Sequence, residues 1–210
     1  IAQSYGQSAA LMAAVELGVF TAISEGAGTF AEVAARLGLH PTNAERLIVL
    51  LSAAGLTEVK DGRLHNAEDT ERFLVKGKRS YMGPWITFTK PQWNEWGRLA
   101  DHLRVTDLKD LGSIGDITVE DARRYHASTF SIGMGAGRRF VRHVDLANRK
   151  KIMDIGGGSG AYLIAAANQH PDIRGVVLDL PAVCEVAREF LAEAGVGDRI
   201  TAEPCDFTSD

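Results

Sequence analysis

Cysteine and long apolar runs are both scarce in this sequence. The 210 residues include two cysteines, Cys184 and Cys205, which are too few for a disulfide framework and lack the spacing of metal ligands. We therefore expect a protein of the reducing cytoplasm, without a bound metal. No stretch approaches the ~20 consecutive apolar residues that a membrane-spanning helix needs, so we expect no membrane partner.

Positive charge is not in excess either. The chain has 23 basic and 27 acidic side chains, a net charge of −4, and six scattered histidines. Such a balance produces no general attraction to nucleic acid or to anionic membranes. The 45% hydrophobic and 24% charged residues are typical of a globular protein, and the length suits one large domain or two small ones.

Residues 8–20 are apolar around the whole circumference of a helix rather than along one stripe. A helix of this kind is buried on several sides. The pattern favours burial against a second subunit, and burial within the same chain is the alternative.

Residues 29–80 predict a helix, a turn, a second helix and a hairpin. Thr29 and Glu32 form a capping box for the first helix, which ends at Gly38. Thr42 is predicted to cap the second helix, which ends at Gly55 and turns Leu47, Leu50, Leu51 and Ala54 inward. A turn at residues 60–62 closes the hairpin, and this order is typical of a winged helix.

The charges of this segment argue against DNA binding. Residues 28–80 contain eight basic and seven acidic side chains, and the second helix offers only Arg46, beside Glu45, at its exposed start. A scaffolding or dimerisation role is therefore preferred for the winged helix.

All three tryptophans, Trp85, Trp93 and Trp96, lie between residues 81 and 105. Such clustering favours an interface or the wall of a pocket for a flat ligand, with ordinary core packing as the alternative. Residues 106–117 are the best candidate for a connection between domains. Two helices are predicted after it, one from Val119 to about Phe130 and one from about Met134 to Val144.

A glycine-rich turn follows the predicted strand 151–155 and precedes a helix that begins at Ala161. Glycines allow the tight turn and let ligand atoms approach the backbone. A second strand, 175–178, ends in Asp179, 23 residues after Gly156, where a carboxylate can accept both hydroxyls of a ribose. The glycine spacing, with Ala161 in place of the last glycine of the dinucleotide pattern and Asp154 inside the strand, favours S-adenosylmethionine over a dinucleotide.

These segments resemble the class I S-adenosylmethionine-dependent O-methyltransferases of plant and bacterial secondary metabolism. The likeness is carried by residues 152–160, by residues 178–183 and by Phe130 followed four residues later by Met134. It implies an α/β protein: a mostly α-helical winged-helix dimerisation domain followed by a Rossmann-like methyltransferase domain with a parallel sheet. It also implies a homodimer that forms through the N-terminal domain.

The resemblance also implies the cofactor contacts. Gly156 and Gly158 would place backbone beside the methionine part of S-adenosylmethionine, and Asp179 would hold the ribose. Asp206 and Phe207 would bracket the adenine, and their alternative roles are a loop acid and a core phenylalanine.

Three residues of the two helices predicted after residue 117 complete the implied site. Phe130 and Met134 would line the acceptor pocket, or else belong to the helix core. Arg138 would contact the carboxylate of the cofactor, for which a guanidinium is well shaped, or else belong to a solvated basic helix end.

The expected organisation is a winged-helix domain over 1–105, the connection over 106–117 and the N-terminal part of a methyltransferase domain over 118–210. The chain supplies three strands for a sheet that is larger in the family, so we expect the natural protein to continue beyond Asp210. The general-base histidine of the family is expected there too. His126 is read as structural, which leaves the catalytic assignment open.

The predicted function is methyl transfer from S-adenosylmethionine to a hydroxyl of a small aromatic or polyketide-like metabolite. Two alternatives stay open. One is a winged-helix regulator fused to a cofactor-sensing domain, and the other is a family member that uses S-adenosylmethionine for a different reaction, because fold alone does not determine function.

Overall fold

The computed structural model describes residues 4–104 and 117–207. Packing divides the chain into two compact units, Ile1–Asn94 and Glu95–Asp210. The domain limits at 105 and 118 stay a prediction. The connection predicted over 106–117 lies outside the described residues, except for Ile117.

The first unit is mostly helical, with one small hairpin. Its core contains Phe20, Val33, Ile48 and Leu51, all of which are buried. The elements are α1 (Tyr5–Leu17), α2 (Val19–Ser24), α3 (Phe30–Leu37), α4 (Pro41–Ala53), β1 (Thr57–Lys60), β2 (Arg63–Asn66), α5 (Glu68–Phe73), α6 (Gly83–Phe88), a 3-10 turn (Lys90–Gln92) and α7 (Trp93–Gly97), which crosses into the second unit.

The apolar N-terminal segment is two helices rather than the single one predicted over 8–20. Gly18 adopts the left-handed conformation, with a φ of 79°, and its N–H bonds back to carbonyls of the last turn of α1. This conformation ends a helix and favours glycine. Ala10 and Ala14 are buried, whereas Tyr5 and Leu17 are exposed.

The capping box of α3 is confirmed. The Thr29 hydroxyl accepts from the Glu32 N–H, the Glu32 carboxylate accepts from the Thr29 N–H, and Gly38 ends the helix with a φ of 64°.

The prediction that Thr42 caps α4 is wrong. Pro41 occupies the first helical position, where its missing N–H costs nothing, and the His40 side chain caps the helix by accepting from the Thr42 N–H. Of the residues predicted to face inward, Leu51 is buried and Leu47 packs against the core, whereas Leu50 is 38% exposed and Ala54 is exposed too; Ile48 is buried in addition.

The predicted hairpin is present. Strands β1 and β2 pair antiparallel, with Lys60 opposite Arg63, and Asp61 and Gly62 both have positive φ in the two-residue turn. The order helix, turn, helix, hairpin is thus observed, while the winged-helix classification stays a prediction.

The tryptophans lie on the surface of their units rather than in the cores. Trp85 stacks on Phe88 with a centroid distance of 6.0 Å, and Trp96 is 66% exposed. Within the first unit, Trp93 lines an open groove of about 720 Å³ between α1 and the 3-10 turn. Lys90 and Glu16 form an ion pair of 2.6 Å at this groove.

The second unit is a parallel sheet with helices. Its strands have the order β3, β4, β5 among the described residues, and both pairs are parallel. Parallel neighbours need helical crossovers, which α10 and α11 provide. The elements are α8 (Leu99–His102), α9 (Val119–His143), β3 (Lys151–Ile155), α10 (Ala161–Gln169), β4 (Arg174–Asp179), α11 (Pro181–Glu193) and β5 (Ile200–Pro204).

Helix α9 runs without a break through the gap predicted between Phe130 and Met134. Two glycines of this helix allow close packing: a Cβ added at Gly137 would lie 2.9 Å from the Ala161 carbonyl oxygen, and one at Gly133 would lie 3.0 Å from the Ala161 Cβ. Arg123 of α9 also forms a two-bond ion pair with Glu189 of α11. Helix α9 is therefore held against both crossover helices.

Across residues 4–104 and 117–207, no helix is both long and apolar enough to cross a bilayer.

Candidate functional site

The candidate site lies where the parallel strands end and the glycine loop begins. The loop Gly156–Gly160 joins β3 to α10, and Gly156, Gly158 and Gly160 have positive φ. The Gly156 N–H donates to the Leu178 carbonyl at 2.7 Å, which pins the loop to the end of β4. Ligands of open α/β sheets bind at this edge.

Asp179 is tied directly to the glycine loop. One carboxylate oxygen accepts from the Gly158 N–H at 2.9 Å, and the other accepts from the Leu180 N–H at 2.8 Å. Each oxygen retains further acceptor capacity, because a carboxylate has about four lone-pair directions. The acid predicted to bind ribose is thus oriented by the backbone of the loop predicted to face the same ligand.

Asp154 is a second carboxylate at the loop. A Cβ at Gly157 would lie 2.8 Å from the Asp154 Cγ, so a glycine is needed where this side chain folds against the loop. Burial raises the pKa of Asp154, and the negative charge of Asp179 raises it further. The carboxylate therefore resists ionisation more than an exposed aspartate does.

This environment predicts that Asp154→Asn stabilises the protein at neutral pH. A carboxyl group whose pKa is raised in the folded state contributes to stability at low pH. This contribution is lost as the pH rises through the pKa of the folded state. The asparagine carries no charge to bury, so its advantage should be largest at pH 7 and fade below the ordinary carboxyl range. Urea midpoints at pH 7 and pH 3.5 measure this, and equal midpoints of the two proteins at pH 7 would contradict it.

Phe207 and Gly156 are neighbours. A Cβ at Gly156 would lie 3.7 Å from the Phe207 Cε1, and the phenylalanine is 61% exposed, so it is not a core residue. An exposed ring beside a ligand-binding loop offers an apolar face for a planar group. Asp206, directly before it, is exposed as well.

Phe130 and Met134 are half-buried in the core of the second unit. The Phe130 ring stacks on Phe190 of α11 at 4.5 Å, and both residues pack against the buried cluster that contains Cys184 and Leu191. These contacts agree with the core-packing alternative. Arg138 lies one residue beyond Gly137, the point where α9 meets the start of α10.

His126, which the sequence analysis interpreted as structural, lies against the glycine loop, a contact that was not predicted. A Cβ at Gly158 would lie 2.6 Å from the His126 Cε1 and 3.1 Å from its Nδ1. Burial lowers the pKa of His126, and the negative charge of Asp179 offsets part of this decrease. A single histidine on a helix face has no spacing signal, so the sequence alone could not have placed it at the loop.

The residues present fit an adenosine carrying an amino-acid tail. The loop offers backbone without side chains, Asp179 offers oriented carboxylate oxygens, and Phe207 offers an exposed ring face. In the described ranges, no group of three or more His, Cys, Asp or Glu side chains is arranged to hold a metal ion.

Comparison with known proteins assigns the family. A sequence model of the O-methyltransferase domain matches residues 119–210, and one of the O-methyltransferase dimerisation domain matches residues 1–76. Together they cover about four fifths of the chain. The chain belongs to the O-methyltransferase family, with a dimerisation domain and a methyltransferase domain. This agrees with the methyltransferase prediction and not with the regulator alternative.

Individual relatives come from bacterial secondary metabolism. A 3-hydroxy-5-methyl-1-naphthoate 3-O-methyltransferase of Streptomyces sahachiroi is 35% identical over 95% of this chain and 59% of its own length. A mitomycin biosynthesis 6-O-methyltransferase of Streptomyces lavendulae is 28% identical over 99% of this chain and 62% of its own length. The chain thus spans about three fifths of the length of these relatives.

Solved structures share the fold. An O-methyltransferase family protein from Burkholderia thailandensis superimposes with a TM-score of 0.74 at 26% identity, covering 98% of this chain and 62% of that protein. CalO1, a methyltransferase of calicheamicin biosynthesis in its SAH-bound form, superimposes with a TM-score of 0.76 at 25% identity, covering 100% and 65%.

Proposed function

We propose that this protein transfers a methyl group from S-adenosylmethionine to a hydroxyl of a small aromatic metabolite. The observation that carries the proposal is the hydrogen bond from the Gly158 N–H to the Asp179 carboxylate. This bond joins the acid proposed to bind the ribose to the loop proposed to face the methionine part, so that the two form one oriented site. The family assignment supports the reaction class.

The proposed cofactor contacts follow the geometry. Asp179 would accept from the ribose hydroxyls with the lone pairs that its two backbone donors leave, and Gly156 and Gly158 would lie beside the methionine part. Phe207 would cover one face of the adenine, with Asp206 next to its exocyclic amine and Arg138 at the carboxylate of the cofactor.

S-adenosylmethionine supplies an already activated methyl group when bound. The work left to the protein is to hold donor and acceptor in line, which can contribute ~7–11 kcal/mol to lowering a barrier. An acceptor phenol with an ordinary pKa of ~10 must also lose its proton. No residue of the described ranges is proposed as that base.

The proposed acceptor is a flat, fused-ring phenol. The naphthoate methyltransferase that is 35% identical acts on a hydroxyl of such a ring system. Phe130 and Met134 are proposed to present their remaining exposed edges to this acceptor.

We further propose a homodimer that works in the cytoplasm. The dimerisation domain over residues 1–76 and the exposed apolar side chains Tyr5 and Leu17 of α1 support the dimer. Two free cysteines support a reducing compartment.

Binding and turnover test the proposal separately. Calorimetric titration of the chain with S-adenosylhomocysteine should show one site per chain. Incubation of the whole protein, including any segment beyond Asp210, with methyl-labelled S-adenosylmethionine and hydroxylated naphthoic acids should yield a labelled methyl ether. If neither S-adenosylmethionine nor S-adenosylhomocysteine bound, the proposed function would be refuted. Label found on carbon or nitrogen would refute oxygen as the acceptor atom.

A further inference from the structure

His126 occupies a position at the loop that none of the proposed contacts uses. Its ring stands against the backbone of Gly158, the glycine whose N–H is held by Asp179. A methyl group would not fit between the ring and this glycine, so the imidazole is a close neighbour of the proposed methionine subsite.

The groups around His126 come from three elements. Asp179, at the end of β4, is the charged group whose field acts on the ring. Asp154, on β3, faces the loop and interacts with Asp179. Tyr125, on α9 itself, meets the imidazole edge to face at a centroid distance of 5.1 Å.

The ring is uncharged near neutral pH. Burial lowers its pKa more than the Asp179 carboxylate raises it. Acidification below the ordinary histidine range therefore places a new positive charge at the glycine loop.

The methyl donor and its product differ by one charge in addition to the methyl group. S-adenosylmethionine carries a positive sulfonium, and S-adenosylhomocysteine carries a neutral thioether. A positive charge at the loop therefore repels the donor and leaves the product unaffected by this interaction. Charges in a partly buried site are screened less by salt than surface charges are.

We infer that His126 makes the choice between methyl donor and demethylated product depend on pH: the neutral ring admits the cationic donor, and the protonated ring favours the neutral product. This inference rests on the proposed function, since it places S-adenosylmethionine at the glycine loop. By reciprocity, the bound donor also makes His126 harder to protonate.

The test is the ratio of donor affinity to product affinity between pH 8.0 and pH 5.0, measured by calorimetry. In the wild-type chain the ratio should fall, by up to about 15-fold once His126 is fully protonated, which is the size expected for two unit charges about 10 Å apart at an effective dielectric constant of about 20. In His126→Gln the ratio of donor affinity to product affinity should not show this decrease. His143→Gln, which changes an exposed histidine of the same helix, should behave as the wild type.

The ligands' own amino groups titrate identically in all three proteins, so the comparison between variants isolates His126. An equal fall in wild type and His126→Gln, or no fall in the wild type, would overturn the inference. Absence of binding of both ligands at every pH would instead refute the proposed function.

A second measurement does not depend on the folding of a variant. The imidazole titration of His126 in the wild-type chain, followed by nuclear magnetic resonance, should lie at lower pH with the donor bound than with the product bound. Identical titrations in the two complexes would also overturn the inference.

Discussion

Asp179→Ala should weaken the binding of S-adenosylhomocysteine by at least about a hundredfold. Hydrogen bonds to a charged group contribute ~1.5–3 kcal/mol each, and ~1.4 kcal/mol corresponds to a factor of ten in affinity. The variant loses the acceptor of the proposed ribose hydroxyls and also frees the Gly158 N–H, whose bond to the carboxylate holds the loop. Both losses act on the same ligand.

Two further variants separate charge from shape. Asp179→Asn keeps one acceptor oxygen and should retain part of the affinity, with a loss of about tenfold. Asp172→Ala changes an exposed aspartate in the turn before β4 and should bind as the wild type does. Calorimetric titration of all four proteins, each with unchanged circular dichroism, decides the matter. Wild-type affinity in Asp179→Ala would remove Asp179 from the cofactor site.

The glycine loop and Asp179 could be predicted from the sequence because their geometry is local. A strand, a glycine-rich turn and a helix define one crossover unit, and the acid at the end of the next strand returns to the same sheet edge. The parallel pairing of Ile155 with Leu178 brings these two strand ends together. No distant part of the chain is needed to place them.

The start of α4 and the continuity of α9 could not be predicted in the same way. Thr42 with Glu45 has the pattern of a capping box, yet Pro41 is equally suited to a first helical position, and the local pattern does not choose between them. Glycine lowers the helix propensity of a segment, and close packing against another element offsets this cost only where that element lies nearby. In α9 that other element is α10, about 30 residues further along the chain.

The same long-range packing explains the residues that the sequence reasoning missed or left open. His126 reaches Gly158 because α9 lies along the start of α10, and Phe130 meets Phe190 because α9 also contacts α11. From the sequence, both are single residues on one face of a helix. Which of them faces a ligand depends on where the whole helix docks.

The docking of α9 on α10 leads to a prediction of opposite sign at two glycines of one helix. Gly137→Ala should destabilise the second unit by ~1–3 kcal/mol, the usual cost of overpacking, because the new Cβ would lie 2.9 Å from a backbone oxygen that cannot rotate away. Gly135→Ala, two residues earlier, has no atom within 4 Å of the new Cβ. It should stabilise the helix by ~0.5–1 kcal/mol, the ordinary advantage of alanine over glycine.

The matched pair removes helix propensity as an explanation, because both changes add the same methyl group to the same helix. Urea unfolding followed by circular dichroism gives the sign of the change in unfolding free energy for each variant. Hydrogen exchange of the α9 and α10 peptides shows whether the changes occur in the second unit. A Gly137→Ala variant as stable as Gly135→Ala would mean that α9 does not dock as described. The contact between His126 and Gly158, which depends on the same docking, would then lose its basis as well.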